Sequence, residues 1–180
     1  MIAPARSMWD RGNIIRWPTE GPRSAQGLVW ITLFDSLLGM LSRFLKAQEK
    51  TYADALAELK AGRKRGHWIW WVFPQMRGLG TSEYSVYYGI IDEAEALAYM
   101  QHPVLGARYQ ECVSVVHGHL CQGRVDPLTL MGSEVDVVKL RSSLGLFLRV
   151  APSAENTFRT QVKETLAVLD ASAEHSESLS

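Results

Sequence analysis

Apolar residues recur at helical spacing from Leu41 onward. Between residues 41 and 60, apolar side chains and Gln48 fall on one face, while charged residues cover the other face. This pattern predicts an amphipathic helix, and Gly62 just past its last apolar residue is typical of a helix end. The preceding run LVWITLFDSLLGML, residues 28–41, has some β-forming residues at its start. Because no partner strand is evident, we interpret it as an apolar lead-in to the helix.

Capping residues mark further helix starts along the chain. Thr81 or Ser82 precedes a short segment that ends at Gly89, and Asp92 precedes the strong helix formers EAEALAYM. The pair Asp126-Pro127 combines a capping side chain with a proline suited to a first helical turn. Each of these positions therefore predicts the start of a helix.

Longer apolar stripes complete the pattern. They run through residues 104–120, 137–148 and 158–169, each with apolar side chains on one side at helical spacing. A succession of helices without a clear strand pair predicts an all-α fold. We expect a compact single-domain helical bundle or orthogonal array of about six to seven helices.

The two ends of the chain lack such stripes. Residues 1–27 scatter Pro, Gly, Arg and Trp without a period, and the residues after Asp170 are mainly Ser, Ala, Glu and His. We therefore predict a poorly ordered extension over residues 1–36, a helical domain over residues 37–169 and a disordered tail over residues 170–180.

The stretch GHWIWWVFPQMRGLG, residues 66–80, is the densest group of aromatic, glycine and polar residues. It holds half of the six Trp residues and follows the basic run Arg63-Lys64-Arg65. Pro74 limits any helix within it, because proline disfavours helical backbone at the residue before it. The segment His67 to Phe73 fits either two helical turns or a buried strand, and periodicity alone leaves both open.

Composition narrows the class of protein. The 180 residues are 47% hydrophobic and 21% charged, as in a soluble globular domain, and the formal net charge is zero. No global field then draws the protein to nucleic acid or an anionic membrane. The run at residues 28–41 is too short to span a bilayer, and no export signal is evident, so we predict a cytoplasmic protein. Cys112 and Cys121 are interpreted as reduced buried thiols, and no metal or cofactor is expected.

Five sequence blocks occur in a characteristic order. They are RFLKAQ at residues 43–48, AELKAGRKRGHWIWWVFPQMRGLG at 57–80, YG at 88–89, AYMQHPVLGAR at 98–108 and KLRSSLGLF at 139–147. Together they resemble the family called domain of unknown function 1810, over about residues 41–150.

This resemblance implies a mainly α-helical single domain and no established activity. The label calpastatin, which some members carry, does not fit, because such inhibitors are long disordered repeat proteins and this chain has a core and no repeats. The chain departs from the family pattern over residues 1–36 and around residues 131–136. Asp136 therefore matches the pattern only loosely.

Polar and amphipathic residues inside these blocks form the candidate site. If the blocks converge, His67 and His102 would be acid/base groups, basic side chains would hold an anion, and Trp would stack on a ring. The ligand-binding candidates are Lys64, Trp68, Trp70, Gln75, Arg108, Lys139, Arg141 and Ser142.

Each candidate also has a structural interpretation. The Trp residues are more often core than ligand platform, and His67 or His102 can cap a helix end. Lys139 and Arg141 are ordinary surface charges unless one of them pairs with Asp136.

The sequence supports three hypotheses about function. The leading one is a pocket lined by residues 67–75 that binds a small anionic ligand such as a nucleotide or an ADP-ribose-like molecule. If the protein is an enzyme, this pocket implies a hydrolase or glycosidase. The alternative is a protein–protein interaction module without catalytic activity, and the third is weak nucleic-acid binding through residues 60–65. A pocket requires the candidate side chains to converge, whereas an interaction module requires a contiguous exposed aromatic patch.

Overall fold

The structure, a computed structural model, describes the backbone of residues 25–152 and 155–177 and the side chains of residues 39–152 and 155–174. This part of the chain forms eight helices and no strand, so the predicted all-α fold is confirmed. The helices are α1 (Ala25–Lys60), α2 (Ile69–Val72), α3 (Glu83–Tyr88), α4 (Glu93–Gln101), α5 (Leu105–Leu120), α6 (Pro127–Met131), α7 (Glu134–Val150) and α8 (Thr157–Glu177).

Helical backbone extends beyond both predicted limits of the domain. Helix α1 begins at Ala25 and includes the apolar lead-in, while α8 continues to Glu177. Residues 1–24 and 178–180 lie outside the described residues, so the predicted extension over residues 1–36 and tail over residues 170–180 stay predictions. Among the described helices, none has the length and apolar content needed to cross a membrane.

The predicted caps are present and explain where the short helices begin. Ser82 Oγ accepts a hydrogen bond from the Ser85 backbone N–H at 3.2 Å, and Asp92 Oδ1 accepts from the Glu95 N–H at 2.8 Å. Asp126 Oδ1 does the same for the Thr129 N–H at 2.9 Å. Each cap satisfies a backbone donor that the helix itself leaves unpaired, worth about 0.5–2 kcal/mol.

Aromatic side chains from α1, α4, α5 and α7 fill the centre of the core. The Tyr109 ring lies 4.3 Å from the Phe147 ring, and the Tyr99 ring meets the Phe44 ring edge-on at 5.2 Å between centroids. The tyrosine hydroxyls are paired, since Tyr109 Oη lies 3.1 Å from Ser143 Oγ. The core therefore gains aromatic packing without leaving these hydroxyls unsatisfied.

Gln48 is a buried polar residue that joins four helices. Its Nε2 donates to the Trp71 carbonyl of α2 at 2.7 Å and to Tyr99 Oη of α4 at 2.9 Å, while its Oε1 accepts from Arg108 of α5 at 3.3 Å. These bonds fix the register of α1 against its neighbours, because an unpaired buried amide would be costly.

A second buried polar contact holds α1 to α4. Arg43 forms an ion pair with Glu95 at 2.7 Å, with side-chain exposures of 10% and 1%, and also donates to the Gly89 carbonyl at 3.2 Å. The other oxygen of Glu95 accepts from the Ile91 N–H at 2.7 Å. The chain before α4 is thereby tied to the core.

The aromatic stretch resolves into one short helix and an irregular segment. The single turn α2 answers the question left open by periodicity, and Ile69, Val72 and Phe73 are buried as core residues. After Pro74, the backbone pairs locally, because Gln75 O accepts from the Ile90 N–H at 2.9 Å and the Arg77 N–H donates to Ile90 O at 2.8 Å. The polar end of the stretch is thus pinned beside α3.

Two glycines of α5 give a matched test of the α4–α5 junction. A Cβ at Gly106 would lie 2.0 Å from the Met100 carbonyl oxygen, whereas a Cβ at Gly118 would meet nothing within 4 Å. We expect Gly106→Ala to destabilise the protein by more than about 2 kcal/mol, because backbone must move. Gly118→Ala should stabilise it by about 0.5–1 kcal/mol.

Urea unfolding of both variants measures these effects. Equal and small changes in the free energy of unfolding for the two variants would contradict the close approach of α4 to α5.

Candidate functional site

The loop between α1 and α2 lies against the turn between α6 and α7. The Lys64 backbone N–H donates to the Leu130 carbonyl at 2.8 Å, which anchors the loop to α6. Gly132 ends α6 with a positive φ of 77°, and a Cβ there would be 3.2 Å from the Lys64 carbonyl oxygen. This contact brings the basic loop to the first turn of α7.

Two lysines converge on one carboxylate at this contact. Lys64 Nζ lies 2.6 Å from Asp136 Oδ2, and Lys139 Nζ lies 2.9 Å from Asp136 Oδ1. The three side chains are only 7%, 14% and 13% exposed for Lys64, Lys139 and Asp136 respectively. Two largely covered positive charges therefore share a single negative one, and Lys139 is not an ordinary surface charge.

A tryptophan ring accompanies each ammonium group. Lys139 Nζ lies 3.6 Å from the centroid of the Trp70 ring, and Lys64 Nζ lies 5.3 Å from that of Trp68. Trp68 is buried at 3% exposure, as its structural interpretation required, whereas Trp70 is half-buried. Cation–π contacts of this kind contribute about 0.5–2 kcal/mol each.

Glu58 organises the loop that carries Lys64. Its Oε2 accepts hydrogen bonds from the Arg65 N–H at 2.7 Å, the Gly66 N–H at 2.9 Å and the Trp68 indole N–H at 2.7 Å. A Cβ at Gly66 would lie 2.8 Å from the Trp68 ring, so a side chain there would disturb this arrangement. We call Glu58, Lys64, Trp68, Trp70, Asp136 and Lys139 the lysine cluster.

Both carboxylates of the lysine cluster are held in the ionised form. Burial raises the pKa of Asp136, but hydrogen bonds and charge from Lys64 and Lys139 outweigh it and leave the pKa below its ordinary value. Burial also raises the pKa of Glu58, but the hydrogen bonds that it accepts have the larger effect, so its pKa lies below the ordinary value. Neither group is therefore a proton donor at neutral pH.

The two histidines predicted as acid/base groups lie in different settings. His102 follows α4, and its Nδ1 accepts from the Val104 and Leu105 backbone N–H groups at 3.2 and 3.3 Å. Burial lowers its pKa, so the ring is neutral and acts as a cap for α5. The side chain of His67 is exposed on the loop before α2.

The remaining predicted residues are divided between other contacts. Arg108 lies over the Tyr52 ring at 4.6 Å and donates to Gln48, and Gln75 is buried at 7% exposure. Arg141 pairs with Asp170 and, with Ser142, lines a groove of about 560 Å³ between α7 and α8. The structure thus brings together Lys64, Trp68, Trp70 and Lys139, and it places the other candidates elsewhere.

Sequence reasoning missed Glu58 as part of this cluster. The helical pattern assigned Glu58 to the charged face of α1, which gives no sign of its bonds to the next loop. Its position inside the same sequence block as Lys64 and Trp68 is the signal that would have included it. Asp136, which matched the family pattern only loosely, holds the centre of the cluster.

A separate surface carries exposed aromatic and aliphatic side chains. Tyr84, Val86 and Tyr87 are 56%, 48% and 58% exposed, and we call these residues the tyrosine surface. The ring of Tyr84 is nearly parallel to the Tyr88 ring, at 6.3 Å between centroids. Arg43, Arg77, Thr81, Glu83, Val86 and Tyr87 line a hollow of about 520 Å³ beside it.

Comparisons with known proteins give one family and one solved relative. Residues 39–173 match the sequence model of a family described as Protein of unknown function (DUF1810). The conserved hypothetical protein Rv1873 from Mycobacterium tuberculosis, whose crystal structure is known, has 44% sequence identity to this chain, and the two structures superpose with a TM-score of 0.61. That match covers 71% of this chain and 84% of the other. Among curated proteins, none matches the chain.

The charge balance of the lysine cluster predicts how stability depends on pH. Because the pKa of Asp136 is lower in the folded protein than in the unfolded chain, its ionised form stabilises the fold. This contribution is complete above the unfolded-state pKa of about 3.9 and is lost as pH falls through the folded-state pKa. Asp136→Asn should lower the free energy of unfolding at pH 7 by about 1–3 kcal/mol, because both lysines lose their partner. Between about pH 5 and pH 3 the variant should lose less stability than the parent protein.

Urea unfolding at several pH values, with Asp54→Asn on the exposed face of α1 as the matched control, measures both effects. If the curves of stability against pH for the parent protein and Asp136→Asn ran parallel, Asp136 would not be the acid-sensitive group.

Proposed function

Because the chain belongs to the DUF1810 family, whose description assigns no reaction, we propose a function from its geometry. The protein binds a small anionic ligand that carries a planar ring, such as a nucleotide or an ADP-ribose-like molecule, at the lysine cluster. This proposal keeps the ligand class predicted from the sequence and narrows the residues that hold it.

The observation that carries the proposal is the convergence of two ammonium groups on Asp136. Each ammonium group has three N–H donors and gives one to this carboxylate, so both retain donors for a phosphate or carboxylate oxygen. Arg63 and Arg65 are exposed on the loop that carries Lys64 and add positive charge near the cluster. An anion that reaches the cluster would meet a locally positive surface on a protein of zero net charge.

Trp70 supplies the aromatic part of the proposed site. Its indole is half-buried and lies next to the Lys139 ammonium group, 3.6 Å from the ring centroid. A nucleobase can stack on an exposed indole with a gain of about 1–3 kcal/mol, while the neighbouring lysine holds a phosphate. His67, exposed three residues earlier on the loop before α2, is a further candidate contact.

The ionisation of the carboxylates bears on whether the site is catalytic. A hydrolase or glycosidase of the usual two-carboxylate kind needs one protonated acid, and both Asp136 and Glu58 are held ionised. An enzymatic version of the proposal therefore gives Asp136 the role of stabilising positive charge at a sugar carbon, with the proton supplied by water or the ligand. Binding alone requires no such step and is the function that we favour.

The charges of the basic run support a small ligand over nucleic acid. Lys60 pairs with Glu111 at 3.4 Å, and Lys64 is turned inward to Asp136. Within Arg63-Lys64-Arg65, only the two arginines remain exposed. A surface that tracks a phosphate backbone usually presents more cations than this.

Ligand titration with a charge-neutral lysine variant tests the proposed site. We expect ADP or ADP-ribose to bind more tightly than adenosine, because adenosine lacks the phosphate groups. Lys139→Met should weaken this binding by at least about tenfold, since a charge-assisted hydrogen bond is worth about 1.5–3 kcal/mol. Isothermal titration calorimetry gives the dissociation constants.

The matched control is Lys46→Met, which removes an exposed lysine from α1. Trp70→Leu tests the ring contact separately and should weaken ADP more than inorganic phosphate. The proposal fails if neither nucleotide binds, or if Lys139→Met and Lys46→Met have equal affinity while both remain folded by circular dichroism.

The tyrosine surface supports a second candidate function, a protein–protein interaction. Its exposed tyrosines are of the residue type that dominates interface energetics, and its rim carries both a positive Arg77 and a negative Glu83. Opposite charges on one rim suit pairing with a second copy of the same surface, as a two-fold dimer requires. The zero net charge of the chain adds no repulsion between copies.

Sedimentation equilibrium tests this second candidate. The protein should self-associate with increasing concentration, and the double variant Tyr84→Ser/Tyr87→Ser should remain monomeric. Leu128→Ser/Val135→Ser, which changes residues that are 50% and 63% exposed elsewhere, is the matched control and should still associate. A parent protein that is monomeric at all concentrations would exclude self-association through the tyrosine surface.

A further inference from the structure

Helices α5 and α8 bring three potential metal ligands together, away from the lysine cluster. Cys121 caps the end of α5 with helical backbone, four residues after His117, so the two share one face, and Glu164 reaches them from α8. The His117 Nε2 atom lies 2.6 Å from Glu164 Oε2, and one ligand atom from each residue lies within 4.8 Å of the others. One nitrogen, one sulfur and one oxygen donor thus surround a common point.

We propose that His117, Cys121 and Glu164 bind a zinc ion. Imidazole nitrogen, thiolate sulfur and carboxylate oxygen are the ligands that zinc takes in proteins, at about 2.0–2.3 Å. Tetrahedral coordination at those lengths separates the ligand atoms by roughly 3.3–3.7 Å. The His117–Glu164 pair needs to open, and the sulfur needs to move inward, each by about an ångström.

The surroundings permit these movements. The Glu164 side chain is 55% exposed, so it can change rotamer without disturbing the core, while the 21% exposed His117 keeps its position. Cys121 is the residue that ends α5, where the backbone is less constrained than within the helix. A site with three protein ligands keeps a fourth position for water or a ligand, as in catalytic rather than structural zinc sites.

The charges of the proposed site balance. A thiolate and a carboxylate neutralise the two charges of the zinc ion, and His117 binds as the neutral ring. Zinc binding forms the sulfur–zinc bond, and the thiol proton passes to solvent.

Neighbouring residues of the same types are not part of the site and provide controls. His119 lies on another side of α5, where its Nε2 is 3.2 Å from the Lys60 carbonyl oxygen of α1. Cys112 is fully buried in the core, and burial raises the pKa of its thiol to about 12. Since α5 and α8 contribute nothing to the lysine cluster, zinc binding and nucleotide binding can succeed or fail independently.

Cobalt titration of the chain, free of any affinity tag, tests the proposal. We expect one cobalt ion per chain, with the near-ultraviolet charge-transfer absorption that a cobalt–thiolate bond produces, and zinc should displace it. Cys121→Ser should abolish this absorption, and His117→Gln or Glu164→Gln should weaken zinc binding by at least about tenfold. His119→Gln should bind as tightly as the parent protein.

Thiol labelling provides a second measurement. Zinc should slow the reaction of Cys121 with a thiol reagent, and this protection should be lost in His117→Gln but kept in His119→Gln. An absence of thiolate-to-cobalt absorption, an unchanged spectrum in Cys121→Ser, or equal loss of affinity in His119→Gln and His117→Gln would overturn the proposal.

Discussion

A single carboxylate oxygen holds the turn on which the candidate site depends. Glu58 Oε2 accepts three hydrogen bonds, from the Arg65 and Gly66 backbone N–H groups and from the Trp68 indole. Because these donors lie in a loop that has no helical partners of its own, the carboxylate replaces the missing backbone hydrogen bonds. It also fixes Trp68 in the core and so sets the direction from which Lys64 reaches Asp136.

The sequence blocks shared with the family converge in two places with different characters. Residues from the blocks at 43–48 and 98–108 meet around Gln48, where Tyr99 and Arg108 satisfy its buried amide. Residues from the blocks at 57–80 and 139–147 meet in the lysine cluster, where charge is concentrated around Asp136. The first meeting point satisfies its polar groups within the protein and is structural. The second retains unused N–H donors, on which the proposed ligand site rests.

The lysine cluster and the α5–α8 histidine–cysteine group also differ in what stabilises them. The cluster is held by loop contacts to α6, through the Lys64 to Leu130 backbone bond, and by two ion pairs of low exposure. The His117–Glu164 contact instead joins two long helices at a partly exposed position. Rigid support favours a preorganised anion site, whereas the exposed pair can rearrange around an incoming ion.

The sequence by itself determined most of the helices and their capping residues, but it left α2 open between helix and strand. Asp92, Asp126 and the apolar stripes act over one or two turns, so local spacing was enough to predict them. It also named Lys64, Trp70 and Lys139 as ligand-binding candidates, but it joined them with His102, which caps α5 instead. Only the tertiary structure decided that Glu58 and Asp136 complete the cluster and that His117 meets Glu164, 47 residues later. Helical spacing specifies which face of each helix is buried. The crossing of the helices then decides which polar side chains meet, and local spacing does not encode that crossing.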